Sequence, residues 1–358
     1  MGEATGRIAG ERWGEGSLPD AALAGEVTIE RVRAAAARIE GLVHRTAVLT
    51  SRTIDERLGA RVLMKGEHLQ RVGAFKCRGA MSAMTAMDPG VRARGVLAYS
   101  SGNHAQAMAC AAGELGVPAV IIMPSNAPAI KVAGVRGYLA RAPRGSEVMT
   151  YDPQTVVRED LGARVASERG LTIIPPYDHP EVIAGQATAA LELFEEVGDL
   201  DRLYVCCGGG GLLSGCATVA RALCPTCEVI GVEPELGDDA TRSFASGRLC
   251  VVRNPATIAD GARTPFLGRY TFPIVLERVD RMRTVSDAEL AAWVAFGLAR
   301  LKQVFEPSGV LGLAGAAADA RDAGGLGGAR IGVIVSGGNV DPAALAGVLD
   351  LAGAAGAG

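Results

Sequence analysis

Aromatic residues are scarce, with 2 Trp, 6 Tyr and 7 Phe in 358 residues. A core with few large rings must close around Ala, Val and Leu, which suits helices packed on a sheet better than a sandwich or a fibre. An excess of one charge is missing too: 36 Lys and Arg stand against 39 Asp and Glu, for a net charge of −3. That balance leaves no basic footprint for nucleic acid. No run approaches the roughly 18 apolar residues of a membrane span. The N-terminus shows no basic region followed by an apolar core, so a secretory signal is not expected. Eight cysteines are too few for a disulfide scaffold in a chain this long. Cys77, Cys110, Cys206 and Cys207 lie in apolar segments and read as small core residues. Cys224-Pro-Thr-Cys227 is a lone C-x-x-C without a second Cys or His pair, and reads as a loop with two reduced thiols. A cytoplasmic location is expected. No 20–50-residue repeat and no low-complexity linker divides the chain.

What is present is small and apolar: 49% of residues are hydrophobic and 48 are glycine. The length favours two domains. Residues 1–26 mix Gly, Ala and charge without period, and 351–358 read LAGAAGAG, so both ends are expected to be loose tails. A helix is predicted from Thr28 to about Ile39. Strands and helices then alternate: strand Arg61–Lys65, helix Phe75–Ala86, strand Gly95–Tyr99, helix Asn103–Leu115 and strand Ala119–Met123. The pattern resumes with strand Leu203–Cys207, helix Leu212–Ala222, strands Glu228–Glu233 and Ile331–Val335, and helix Pro342–Leu349. Short apolar strands separated by helices predict an α/β fold with doubly wound, mostly parallel sheets.

Four segments carry chemistry. Val72–Ala80, VGAFKCRGA, walls Lys76 with Gly, Ala, Phe and Cys, a setting that desolvates an amine and makes it nucleophilic. Gly208-Gly209-Gly210-Gly211 follows a predicted strand and opens a helix, so its backbone N–H groups can close around a phosphate. It is neither a G-x-G-x-x-G with an acidic ribose ligand nor a P-loop. Ser100-Ser101-Gly102-Asn103-His104 sits at a strand-to-helix turn, and by itself reads as an ordinary N-cap. Val335–Asp341, VSGGNVD, supplies a late serine.

Lysine, serine–asparagine turn, glycine loop and late serine, in that order, resemble the pyridoxal-phosphate enzymes of fold type II, in the threonine/serine dehydratase and serine racemase branch. The resemblance spans about residues 28–350. It implies a two-lobed molecule, tryptophan synthase β-like, with a large lobe of 27–94 plus 176–350, a small mobile lobe of 95–175 and the cofactor between them. It implies Lys76 as the Schiff-base lysine and base for the Cα proton. Cofactor contacts would come from Asn103 at the 3′-oxygen, Gly208, Gly209, Gly210, Gly211 and Leu212 at the phosphate, and Ser336 at the pyridine nitrogen. Substrate contacts would come from Ser100, Ser101, Asn103 and His104. Glu233, the Gly237 carbonyl and Asp239 would bind a divalent cation, Mg²⁺ or Ca²⁺. Arg78 is expected to pair structurally, Glu306 to make a structural hydrogen bond near the ring edge, and Tyr138 and Arg158 to gate the substrate.

The chain departs from that pattern in two places. Val72 stands where the family has Thr, and the stretch between Tyr138 and Glu147 is about six residues longer than usual. A neutral Ser336 hydroxyl cannot hold the pyridine nitrogen protonated as an aspartate would, which disfavours a long-lived carbanion and favours loss of a β-leaving group. The leading expectation is therefore β-elimination of a 3-hydroxy amino acid, such as L-threonine or L-serine, to a 2-oxo acid and ammonia. Serine racemase, alone or combined with dehydratase activity, is the alternative, because Ser101 occupies the position of the acid needed on the opposite face of Cα. 3-Hydroxyaspartate is a further candidate substrate. β-Replacement, and a non-catalytic amino-acid sensor on the same fold, fit the motifs less well. No C-terminal regulatory lobe, and so no feedback by isoleucine, is expected. A homodimer with a small amino-acid substrate, and with no nucleic-acid or membrane partner, completes the expectation.

Overall fold

In the computed structural model, which describes residues 6–8 and 11–354, the chain builds two parallel sheets. The larger runs in the order Arg281–Val285, Glu228–Pro234, Arg202–Cys206, Arg330–Val335, Arg61–Gly66 and Val48–Leu49. All neighbours are parallel except the edge strand Val48–Leu49. The smaller sheet, Glu147–Tyr151, Ala119–Pro124, Val96–Tyr99 and Thr172–Ile173, is parallel throughout. Parallel sheets need cover on both faces. Accordingly Leu203 and Val205 pack into one apolar cluster and Tyr204 between them into another.

Helix Pro180–Val197 is the scaffold for the site. A glycine on it and one on a neighbour let two helices approach it closely: a Cβ at Gly185 would lie 2.5 Å from the Arg78 carbonyl oxygen, and one at Gly215 would lie 2.7 Å from that of Ile183. The first contact seats helix Lys76–Ala86, and the second seats helix Gly211–Leu223 behind the glycine loop. Helix Ile29–Ile39 starts where Thr28 Oγ1 accepts from the Arg31 N–H and buries Val32, Ala35 and Ile39 along one stripe. Helix Lys76–Ala86 shares an apolar cluster with the small sheet, in which Ala80, Met81 and Met84 meet Val96, Ala98 and Ile121.

The expected N-terminal tail is corrected from residue 13 onward. Trp13 Nε1 donates to the Leu267 carbonyl at 2.9 Å, Gly16 N to Leu249 O at 2.7 Å, and Arg278 holds the carbonyls of Ala24 and Val27. Ala24 and Val27 are buried with Ile183 and Ile274, so Trp13–Val27 is a strap over helices Pro180–Val197 and Thr271–Arg278. Gly6–Ile8 and Glu11–Trp13 pair as a short antiparallel ribbon. The last helix runs Pro342–Ala354 with Ala352 buried, which corrects the C-terminal tail as far as residue 354. The rest of the two expected tails, residues 1–5, 9–10 and 355–358, lies outside the described residues. Among the described residues no helix is long and apolar enough to cross a membrane.

Candidate active site

The motifs converge at the carboxyl ends of the parallel strands, where open α/β sheets place ligands. Strands Arg202–Cys206 and Arg330–Val335 are neighbours, so the glycine loop and Ser336 leave the sheet side by side. Ser100 leaves strand Val96–Tyr99 of the smaller sheet from the other side.

Lys76 is the first residue of its helix and half-buried. Burial lowers its pKa to about 8. Its Nζ donates to the Pro176 carbonyl at 2.6 Å and lies 4.9 Å from the Phe75 ring centroid. Gln186 Nε2 donates to the same carbonyl at 3.3 Å. The next residue, Tyr177, lays its ring against the glycine loop: a Cβ at Gly209 would meet that ring at 2.5 Å. The segment Pro176–Tyr177 therefore joins the lysine to the loop. On the other side Cys206 neighbours both Lys76 and the Ser336 hydroxyl. Ser336 is buried and donates to the Ser308 carbonyl at 3.3 Å.

Each glycine of the loop is hemmed in where a side chain would stand. Side chains at Gly208, Gly210 and Gly211 would strike Thr264, Leu267 and Gln186 at 2.7, 2.7 and 2.8 Å. Gly210 takes φ +86, a conformation natural to glycine. Helix Gly211–Leu223 begins there with no side chain capping its N–H groups, which leaves them for an anion. Beside Gly208, the buried Thr264 Oγ1 has no hydrogen-bond partner. Uncapped helix start, orphaned hydroxyl and missing side chains fit a phosphate, and the low-pKa lysine fits an aldehyde, so these residues suit pyridoxal phosphate. Leu212 packs its side chain into the apolar core, leaving only its backbone for that role.

The serine–asparagine turn is no ordinary cap. Gly102 is the N-cap of helix Asn103–Leu115, with no side-chain cap bond. Asn103 instead donates to Glu306 Oε1 at 2.8 Å and accepts from Asn339 Nδ2 at 2.9 Å. Glu306 is buried, and burial together with the Asp260 charge raises its pKa to about 8. Ser100 and Ser101 are half-buried at the turn. His104, expected among the substrate contacts, follows Asn103 in the first turn of the same helix. Its ring is buried with Nε2 2.9 Å from the Ile174 carbonyl, and burial plus the Lys76 charge lowers its pKa to about 3, so it is neutral.

Arg78 pairs structurally, as the sequence suggests. It is fully buried, meeting Glu67 at 2.7 and 2.8 Å and Glu192 at 2.6 and 2.9 Å. Removing one member would strand buried charge. The Thr missing at position 72 leaves a β-branched valine at φ +58, a strained backbone just before the lysine helix.

In the acidic loop, Glu233 accepts from Ala240 N at 3.2 Å and from Thr241 N and Oγ1 at 2.7 and 2.8 Å. It thus caps helix Asp239–Ser246. Asp239 Oδ2 is buried without a partner, and burial, together with repulsion between the two carboxylates, raises its pKa. Among the described residues no group of three or more His, Cys, Asp or Glu side chains is placed to hold a metal.

Tyr138 lines a surface cavity of about 350 Å³ with Gln106, Gly134, Gly137 and Arg141, while Arg158 pairs with Glu159 at 2.6 Å. The two expected gating residues thus have separate surroundings. Asn339, Thr264, Pro176 and Gln186 were not foreseen. Only Asn339 had a signal, its place in VSGGNVD; Pro176 acts through a carbonyl that any residue has.

Residues 39–337 match the pyridoxal-phosphate dependent enzyme family. The chain belongs to that family. It is 52% identical over 304 residues to an L-threo-3-hydroxyaspartate ammonia-lyase of Saccharomyces cerevisiae, covering 85% of this chain and 90% of the relative. It is 51% identical over 314 residues to a serine racemase of Schizosaccharomyces pombe, covering 88% and 94%. The solved structure of maize serine racemase superposes with a TM-score of 0.84 at 39% identity, covering 91% of this chain and 97% of that one. As a pyridoxal-phosphate dependent enzyme, the chain has the α/β, fold-type II architecture expected from its motifs.

Proposed function

We propose that this enzyme is an ammonia-lyase that removes the β-hydroxyl of a 3-hydroxy amino acid and releases a 2-oxo acid and ammonia. The observation carrying the reading is Lys76, an amine with a pKa of about 8 held beside an uncapped glycine-loop helix. Bound pyridoxal phosphate supplies an electron sink that acidifies the substrate Cα–H. Lys76 holds the cofactor and then takes the Cα proton. Gly208, Gly209, Gly210, Gly211 and the backbone of Leu212 take its phosphate, with Thr264 adding a hydroxyl. Asn103 serves the 3′-oxygen and Ser336 the ring nitrogen. Ser100, Ser101 and the N–H groups of their turn take the substrate carboxylate. The β-hydroxyl leaves as water, and a second water restores the oxygen as ammonia departs.

A divalent cation belongs to this reading. Asp239, with its orphaned Oδ2, Glu233 and the Gly237 carbonyl would hold Mg²⁺ or Ca²⁺, which should raise the melting temperature when added. We also expect a homodimer in a reducing, cytoplasmic setting. The exposed Leu69 and Val304, which flank the His68–Gln303 pair, support an apolar contact with a second copy.

Serine racemisation is the second reading, favoured by the half-buried Ser101 on the turn that carries Asn103. Incubation of the holoenzyme with L-serine, L-threonine and the threo and erythro 3-hydroxyaspartates, assaying 2-oxo acid and D-amino acid together, tests both. Oxo acid from at least one substrate is expected. Its absence from all four contradicts the lyase reading.

A further inference from the structure

The loop before Lys76 is zipped onto the turn after strand Arg330–Val335. Phe75 N donates to Ser336 O at 3.1 Å, Ala74 and Gly337 form an isolated antiparallel bridge, and Gly338 N donates to Gly73 O at 3.0 Å. One position further, a side chain continues the zipper: Asn339 Nδ2 donates to the carbonyl of Val72 at 2.6 Å. Val72 is the valine in the left-handed region, so this bond holds a strained peptide in place. The same Nδ2 donates its second hydrogen to Asn103 Oδ1 at 2.9 Å. Asn339 Oδ1 lies so close to Gly73 that a Cβ there would meet it at 2.5 Å.

These contacts fix a direction. A backbone carbonyl can only accept, so Asn339 must turn its NH₂ toward Val72. The acceptor it meets on Asn103 must then be the amide oxygen, and the Asn103 NH₂ is left facing Glu306 Oε1, 2.8 Å away, and the site. We propose that Asn339 is a positioning residue: it reads the strained Val72 carbonyl and thereby sets the amide of Asn103 so that Asn103 presents donors, not its oxygen, to the cofactor. This rests on the cofactor reading above.

The test uses the holoenzyme and the pH midpoint of its visible absorption band, which reports the proton on the lysine–cofactor nitrogen. A donor on the 3′-oxygen stabilises negative charge there. Losing that donor makes the oxygen more basic and raises the midpoint, by about one pH unit or more for a hydrogen bond to a charged group. Asn339→Asp keeps the shape but offers Val72 no donor, and Asn339→Ala removes the side chain; melting curves and cofactor content are recorded for each, so that one variant stands if the other misfolds. Both should raise the midpoint as Asn103→Ala does. Adding Asn339→Ala to Asn103→Ala should raise it no further. Midpoints equal to wild type in folded, cofactor-loaded Asn339 variants overturn the proposal, as does full additivity in the double variant. A wild-type protein that shows no visible band after reconstitution with pyridoxal phosphate overturns the cofactor reading itself, and this proposal with it.

Discussion

At Glu306, burial and the Asp260 charge keep the native carboxyl protonated up to about pH 8. An unfolded glutamate releases its proton near 4.5. The native state therefore binds the extra proton between those values, and the stability it contributes is present below about 4.5 and lost as pH rises through about 8. Glu306→Gln cannot titrate, so it should gain on the wild type in melting temperature between pH 5 and pH 9. A pH-independent difference between the two would show that Glu306 is already ionised. At Ser101 the prediction is chemical. Elimination needs a base on one face, the role proposed for Lys76, whereas racemisation also needs proton delivery from the other. Ser101→Ala should abolish D-serine formation, a loss of ~10²–10⁴-fold in the step it serves, and leave much of the oxo-acid production. Equal loss of both would make Ser101 a binding or turn residue. The desolvation of Lys76 was legible in the sequence because a lysine among small apolar residues has a physical signature. For His104 the sequence shows only its place at the turn: the burial and the nearby Lys76 charge that lower its pKa arise from packing between segments distant in the chain.

Among elements, the glycine loop was read most completely, because four glycines between strand and helix leave few alternatives. The structure adds why each is glycine, since the space beside each is filled by Thr264, Tyr177, Leu267 or Gln186. Gly210→Val would force a β-branched residue to φ +86 and drive it into Leu267 and Thr271. Cofactor retention on dialysis should fall sharply, measured by absorbance; full occupancy would place the phosphate elsewhere. Helix Pro180–Val197 and strand Arg281–Val285 escaped the sequence reading. The helix is apolar almost all round because both flanks are covered, so it shows no clear stripe. The strand lies at a sheet edge and alternates arginines with apolar residues, its cations held by Glu228, Asp319 and Asp322.

The whole molecule follows one arrangement, in which strand ends from two parallel sheets bring together a lysine, a glycine loop and an asparagine network. The alternation of strands and helices made the parallel sheets legible, but strand order depends on long-range pairing that periodicity does not carry. The N-terminal strap was hidden because few of its contacts are local: Trp13 and Gly16 bond to Leu267 and Leu249. The claim that unites the molecule is that Lys76 carries the cofactor. Borohydride reduction of the holoenzyme followed by peptide mapping tests it directly. The reduced pyridoxyl label should be found on Lys76, with bleaching of the visible band. A label on Lys65, which is buried and paired with Glu192, or on Lys131, which is paired with Asp260, with Lys76 unmodified, would contradict the account.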